Sequence, residues 1–181
     1  MIITAEVRRF YDTAEICKNS HIITLHYESK PVERKSYCPL CNAPTIHECP
    51  ICHTAIQGCY HRGYIDSPSQ GPDSYSGYCL TIKAQYVPPA YCYNCGAPLP
   101  WTDALLAESS KIIEMMHELT PDQKKELKSI FPDLIADTSS TVSSSIKAGC
   151  LLNSVNKFLV DALKAQAGSS IVATATKFLG W

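Results

Sequence analysis

Three Cys-x-x-Cys pairs, Cys38/Cys41, Cys49/Cys52 and Cys92/Cys95, and a fourth close pair, Cys17 with His21, constrain this chain more than any other feature. Two thiols separated by two residues sit on one tight turn and can share a tetrahedral metal ion. The turn asks for positive φ after its second cysteine, and the residues there are Asn42, His53 and Gly96. Glycine takes that conformation freely, and Asn and His are enriched in it. Eight ligands in four pairs predict two zinc sites.

Four pairs can be combined in three ways. In the sequential scheme Cys17, His21, Cys38 and Cys41 form one site, and Cys49, Cys52, Cys92 and Cys95 form the other. Their loops then span residues 22–37 and 53–91. The first loop holds Ile22–Tyr27, with strand propensity, and a turn at Glu28–Pro31. The second has strand-like Thr54–Ile56 and Tyr78–Ile82 around a Gly/Pro/Ser-rich tip, Ser67–Asp73, expected to be extended and mobile. In the cross-braced scheme pairs one and three share a metal, as do two and four, giving a RING-like module.

Metal matters here because apolar side chains are scarce. Between Cys17 and Cys95 there are twelve Ile, Leu and Val residues and no Phe, Met or Trp. Each buried one contributes about 1.5–3 kcal/mol, whereas a structural zinc contributes an apparent ~10–16 kcal/mol to folding.

Residues 11–135 resemble a bacterial double-zinc-ribbon family with no assigned activity, catalogued as domain of unknown function 2321. The residues that carry the likeness are Ile16-Cys17…His21, the Cys38/Cys41 knuckle, Cys49-Pro50-Ile51-Cys52, Ile56–Tyr60, Pro89–Gly96 and Pro100-Trp101-Thr102. The resemblance implies two ribbons followed by helices, and so favours sequential pairing. Ser20 stands where the family tends to have Gly, which implies a strained Cys17/His21 turn. Asp137–Thr141 replaces a usual Pro-Arg, and the likeness fades beyond it.

All ten tyrosines and ten of the twelve prolines precede Trp101, after which the chain reads as helix. The expected fold is therefore a small zinc-stabilised β region of two ribbons (1–101) and an α-helical region (102–181). Thr102 is the expected first N-cap. Thr120, Pro121 and Gln123 make a capping box for a second helix, which Pro132 is expected to interrupt or end after Phe131. Ser/Thr-rich 137–145 reads as a linker, a third helix covers 142–167, and Ser169–Trp181 forms a fourth. The apolar face of the third helix includes Leu151, Val155, Phe158 and Leu163.

Both ligand sets are closed and thiolate-rich, which points to structural rather than catalytic zinc. His47-Glu48-Cys49-Pro50 superficially resembles a deaminase signature, but the Glu directly follows the His and abuts the Cys, spoiling that geometry. Three Cys-x-x-Cys pairs without a βαβ pattern argue against a redox pair. Cys59 and Cys79 are expected to face inward from strands and Cys150 inward from a helix, with His53 and His61 as substitute ligands. The formal charge is −1, which is poor footing for nucleic acid, although Tyr60, Tyr64, Tyr75, Tyr78, Tyr86, Tyr91 and Tyr93 invite base stacking.

The favoured function is a non-enzymatic zinc-binding adaptor. Its partner, a protein or a second copy, would dock on the helical tail and the Tyr-rich ribbon surface. The alternatives are a nucleic-acid-binding ribbon and a RING-like ligase module. The N-terminus lacks a signal-peptide pattern and no apolar run is long enough to span a bilayer, so the expected compartment is the reducing cytoplasm.

Overall fold

Two buried carboxylates, Asp12 and Glu15, organise the strands ahead of the first cysteine. The computed structural model describes residues 7–65, 75–81, 83–167 and 171–179. The expected loop tip Ser67–Asp73, the strand end Ile82, and the ends of the Ser169–Trp181 segment lie outside these residues, as do the side chains of Tyr64, Tyr75 and Tyr78. The chain divides into two compact units, Met1–Leu99 and Pro100–Trp181.

The first unit holds two three-stranded antiparallel sheets. Strands β1 (Val7–Thr13), β5 (Gln57–Ile65) and β6 (Tyr75–Cys79) make one, with β5 central. Strands β2 (Glu15–Cys17), β3 (Ile22–Thr24) and β4 (Thr45–Ile46) make the other, with β2 central. Thr54–Ile56, read as a strand, contributes only a single bridge between Glu48 and Ala55, and the strand proper begins at Gln57. Of Ile22–Tyr27 only the first three residues are strand. Gly58 allows β5 to pass close to its neighbours: a Cβ there would lie 2.5 Å from the Leu25 carbonyl oxygen and 2.8 Å from the Ala14 nitrogen.

The apolar interior of this unit is thin, built on Ala14, Ile16, Leu25, Ile56 and Leu99. Polar groups supply the remaining order. Glu15 accepts from the Lys35 N–H at 2.9 Å and from Thr45 Oγ1 at 3.1 Å, tying the end of the first loop and the start of β4 to β2. Asp12 accepts from the backbone N–H groups of Thr13 (2.7 Å), Glu28 (2.9 Å) and Ser29 (3.3 Å), and from the Ser29 hydroxyl. Burial alone raises the Asp12 pKa, but these hydrogen bonds outweigh it and hold the carboxyl below its ordinary value.

Because the folded state lowers that pKa, the Asp12 contribution is present at neutral pH and is lost as pH falls through the carboxylate range. Asp12→Ala is expected to destabilise the unit by about 1–3 kcal/mol at pH 7, since it leaves the buried Thr13 N–H without its acceptor and releases the more exposed donors of Glu28 and Ser29. In urea unfolding followed at a series of pH values, the gap between variant and wild type should close below the carboxylate range.

The second unit is five α-helices among the described residues, one more than expected: α1 (Pro100–Glu114), α2 (Pro121–Ile135), α3 (Thr141–Leu152), α4 (Lys157–Ala167) and α5 (Ala173–Leu179). One continuous core joins residues of all five, including Ile113, Leu127, Phe131, Leu134, Ala148, Leu163 and Ala175. Helix α1 begins at Pro100, two residues ahead of the expected cap, because proline is tolerated in a first turn and its φ is already helical. The Thr120/Gln123 capping box forms, with Thr120 Oγ1 accepting from the Gln123 N–H at 3.3 Å and Gln123 Oε1 accepting from the Thr120 N–H at 2.9 Å.

Three expectations fail here. Pro132 sits inside α2 rather than ending it, because Leu134 and Ile135, both buried, draw the last turn into the core. The Ser/Thr-rich stretch is a linker only over residues 137–140: α3 starts at Thr141, and Thr141, Ser144 and Ser145 are buried. Their hydroxyls find partners locally, Thr141 Oγ1 donating to the Asp133 and Ala136 carbonyls at 3.0 Å and Ser144 Oγ to Asp133 Oδ2 at 2.8 Å. The helix expected over 142–167 is two helices, broken at Asn153–Asn156. Asn156 caps α4 through its side chain, Oδ1 accepting from the Phe158 N–H at 2.9 Å. That break turns Phe158 out to solvent rather than inward, and Cys150 is also exposed. Among the described residues no helix is long and apolar enough to cross a membrane.

Candidate metal centres

Each Cys-x-x-Cys pair folds into the same local turn. The backbone N–H of Asn42, His53 or Gly96 returns to the carbonyl of Cys38, Cys49 or Cys92 at 2.8–2.9 Å. A second bond closes each turn from the other side: the N–H groups of Cys38, Cys49 and Cys92 donate to Ala43, Thr54 and Ala97 at 2.8–2.9 Å. The predicted positive φ is present at Asn42 (55°), His53 (58°) and Gly96 (71°).

The fourth pair follows a related path, with the Ser20 N–H donating to the Cys17 carbonyl at 2.9 Å and Ser20 held at φ 65°. Serine pays for that left-handed geometry where glycine does not. Ser20→Gly is expected to stabilise the unit by about 0.5–1 kcal/mol, the lifted steric cost less the extra chain entropy. A denaturant midpoint unchanged or lowered in the variant would count against this account.

These turns bring the eight predicted residues into two groups, and the grouping is sequential. Cys17, His21, Cys38 and Cys41 have their ligand atoms within 4.8 Å of one another, as do Cys49, Cys52, Cys92 and Cys95. Cys17 Sγ lies 3.7 Å from Cys41 Sγ, which is incompatible with cross-bracing; the RING-like arrangement is not the one adopted.

The spacing can be tested against a metal. With Zn–S of about 2.3 Å and Zn–N of about 2.0–2.1 Å, a tetrahedron has S···S edges of about 3.8 Å and S···N edges of about 3.5–3.6 Å. In the first group the Cys17–Cys41 edge is 3.7 Å, and His21 Nδ1 lies 3.4, 3.6 and 3.2 Å from the sulfurs of Cys17, Cys38 and Cys41. In the second, Cys49–Cys95 is 3.8 Å and Cys52–Cys92 is 3.5 Å. Both groups fit.

Hydrogen bonds to sulfur suit thiolate ligands. The N–H groups of His21 and Leu40 point at Cys17 and Cys38 at 3.3 and 3.4 Å, and Asn19 Nδ2 donates to Cys41 at 3.4 Å. Without a cation, sulfurs this close cannot all ionise. Contact with Thr54 draws Cys52 down to about 5. Cys95 receives a backbone bond from Ala97, yet its neighbours, Cys52 first among them, push it up to about 12. A divalent cation at the centre of each group removes that conflict.

The remaining expectations divide. His53 is exposed and bonds the Glu48 carboxylate at 2.9 Å, away from either group. Cys59 is buried as expected and Cys79 is half-buried, and the two are bridged to one another, a pairing not anticipated from the sequence. His61 is buried at the centre of the first sheet, with His26 and Cys59 as neighbours. Nothing in the linear spacing marks His26 as belonging to that group.

A family model described as an uncharacterized protein conserved in bacteria (DUF2321) matches residues 10–179. The match runs past the Ser/Thr-rich segment, where the likeness had been expected to fade, and through the helices that follow. No curated protein and no solved structure matches the chain.

Proposed function

We infer a function from one premise: the chain belongs to the DUF2321 family of proteins conserved in bacteria. Its two cysteine clusters are zinc-ribbon sites that hold Zn²⁺ structurally, and the protein is a non-enzymatic adaptor whose partner is another protein or a second copy of itself. The observation that carries this reading is closure. In each group all four corners of the tetrahedron are side chains of this chain, so no position is left for water or substrate, and thiolates quench Lewis acidity. Zinc bound there supplies folding energy.

The adaptor role draws support from the tips of the knuckles. The residues between paired cysteines include Leu40, Ile51 and Tyr93, exposed at 78%, 70% and 65%. A metal-clamped turn presents such side chains rigidly, which lowers the ordering cost of docking. Phe158, 77% exposed, offers the helical unit a comparable anchor. A formal charge of −1 is a poor footing for holding a phosphate backbone.

Elemental analysis of the purified chain tests the metal. Cys38→Ser and Cys52→Ser should each lose one zinc, and either variant retaining the wild-type content would refute the assignment. Light scattering over a range of concentrations, with crosslinking in the native host, tests the adaptor. A monomer at every concentration with no crosslinked partner would remove that part of the reading.

A further inference from the structure

A third cluster lies in the first sheet, apart from both knuckle pairs. Cys59 and His61 are two residues apart on β5 and so project from the same face. Cys79 on β6 is the ladder partner of His61 and is bridged to Cys59. His26 arrives from the turn after β3, clamped on both sides: the Leu25 carbonyl accepts from the Cys59 N–H at 2.8 Å, and the Tyr27 N–H donates to the Thr13 carbonyl at 3.0 Å. The ligand atoms of His26, Cys59 and His61 all lie within 4.8 Å of one another.

We propose that His26, Cys59, His61 and Cys79 form a third metal site, which takes a divalent cation of the zinc type once the Cys59–Cys79 bridge is reduced. Two thiolates and two imidazoles make one of the common closed zinc sets. His26 Nδ1 is sealed from solvent and makes no hydrogen bond among the described residues, a costly state for a polar nitrogen unless it is a ligand.

The surroundings resemble a supporting shell. Phe10 stacks on His61 at 5.0 Å with the rings 9° from parallel, fixing the imidazole plane. The Asp12 carboxylate, held by its four donors, lies 3.7 Å from His61 Nε2, and a carboxylate beside a ligating histidine orients it and raises its basicity. Breaking the bridge frees both sulfurs to turn toward the imidazoles. A water-soluble phosphine does this in balance: phosphorus gives two electrons to the S–S bond, and water supplies the phosphine-oxide oxygen and the two thiol protons. The metal displaces those protons as it binds.

The test uses the full chain, isolated with the bridge intact or treated with phosphine, then incubated with Zn²⁺ and desalted. Reduction should add one zinc per chain to protein whose two knuckle clusters are already loaded with zinc before the phosphine is added. In the zinc-loaded reduced protein, mass-mapped alkylation should find Cys59 and Cys79 protected. His26→Ala and His61→Ala should abolish the added zinc and expose both thiols. Should either variant fail to fold, the wild-type increment and its alkylation map still decide. No added zinc on reduction, or Cys59 and Cys79 as reactive with zinc as without it, overturns the proposal. So do folded variants that still gain the extra ion.

Discussion

Cys52→Ser and Cys95→Ser are each expected to release one zinc and to unfold the Met1–Leu99 unit. The reason lies in what else holds that unit. Its largest fully buried aliphatic side chains are Ile16, Leu25 and Leu99, and each contributes only about 1.5–3 kcal/mol. A structural zinc in the second cluster would contribute an apparent ~10–16 kcal/mol at neutral pH, so losing one corner of its tetrahedron would remove more than any single apolar deletion could. Serine is nearly isosteric with cysteine but a poor zinc ligand, so the effect reads coordination rather than volume. Cys95 is itself exposed, and a side chain at the surface that nonetheless controls folding is the signature of a ligand. Zinc content and near-ultraviolet circular dichroism check the expectation together. A variant keeping both its metal and a wild-type melting curve would show that the second cluster is not a zinc clamp. Zinc removal by a strong chelator should reproduce the unfolding in the wild type.

Phe131→Ala is expected to cost the helical unit about 3–5 kcal/mol. Phe131 is 2% exposed and belongs to the cluster that joins all five helices. Truncation leaves a cavity bounded by the partners of α2, and helices locked at their caps and at Pro132 have little freedom to collapse into it. For a unit of this size the loss should lower Tm by about 15 °C or more. Thermal unfolding followed at 222 nm, with zinc content measured alongside, separates this effect from the first. The metal should stay while the helices melt early. A Tm within a few degrees of wild type would place the core elsewhere.

The two expected results rest on different kinds of legibility. A knuckle turn is a local object: six residues, two sulfurs, a return hydrogen bond and one positive φ. Asn42, His53 and Gly96 therefore announced their conformation from identity alone, and Ser20 announced its strain by standing where glycine is easier. The capping box at Thr120 is local in the same sense. The helix boundaries were less legible, because hydrophobic periodicity cannot see which turn the core will retain. Pro132 should end a helix by its own chemistry, and burial of Leu134 and Ile135 overrode it. Thr141, Ser144 and Ser145 read as polar linker, yet small hydroxyl side chains with partners on Asp133 and Ala136 are well suited to a close helix contact.

Spacing by itself determined the four ligand pairs and the residue types that let each turn close, because a Cys-x-x-Cys knuckle involves no partner farther than a few residues away. Only the tertiary structure decided which pairs meet, that buried Asp12 ties β1 to the turn at Glu28 and Ser29, and that His26 arrives beside Cys59 and His61 from thirty-odd residues upstream. Those contacts depend on strand register and on how the chain returns across β5, and register is set by cooperative burial over a whole sheet rather than by any short string of residues.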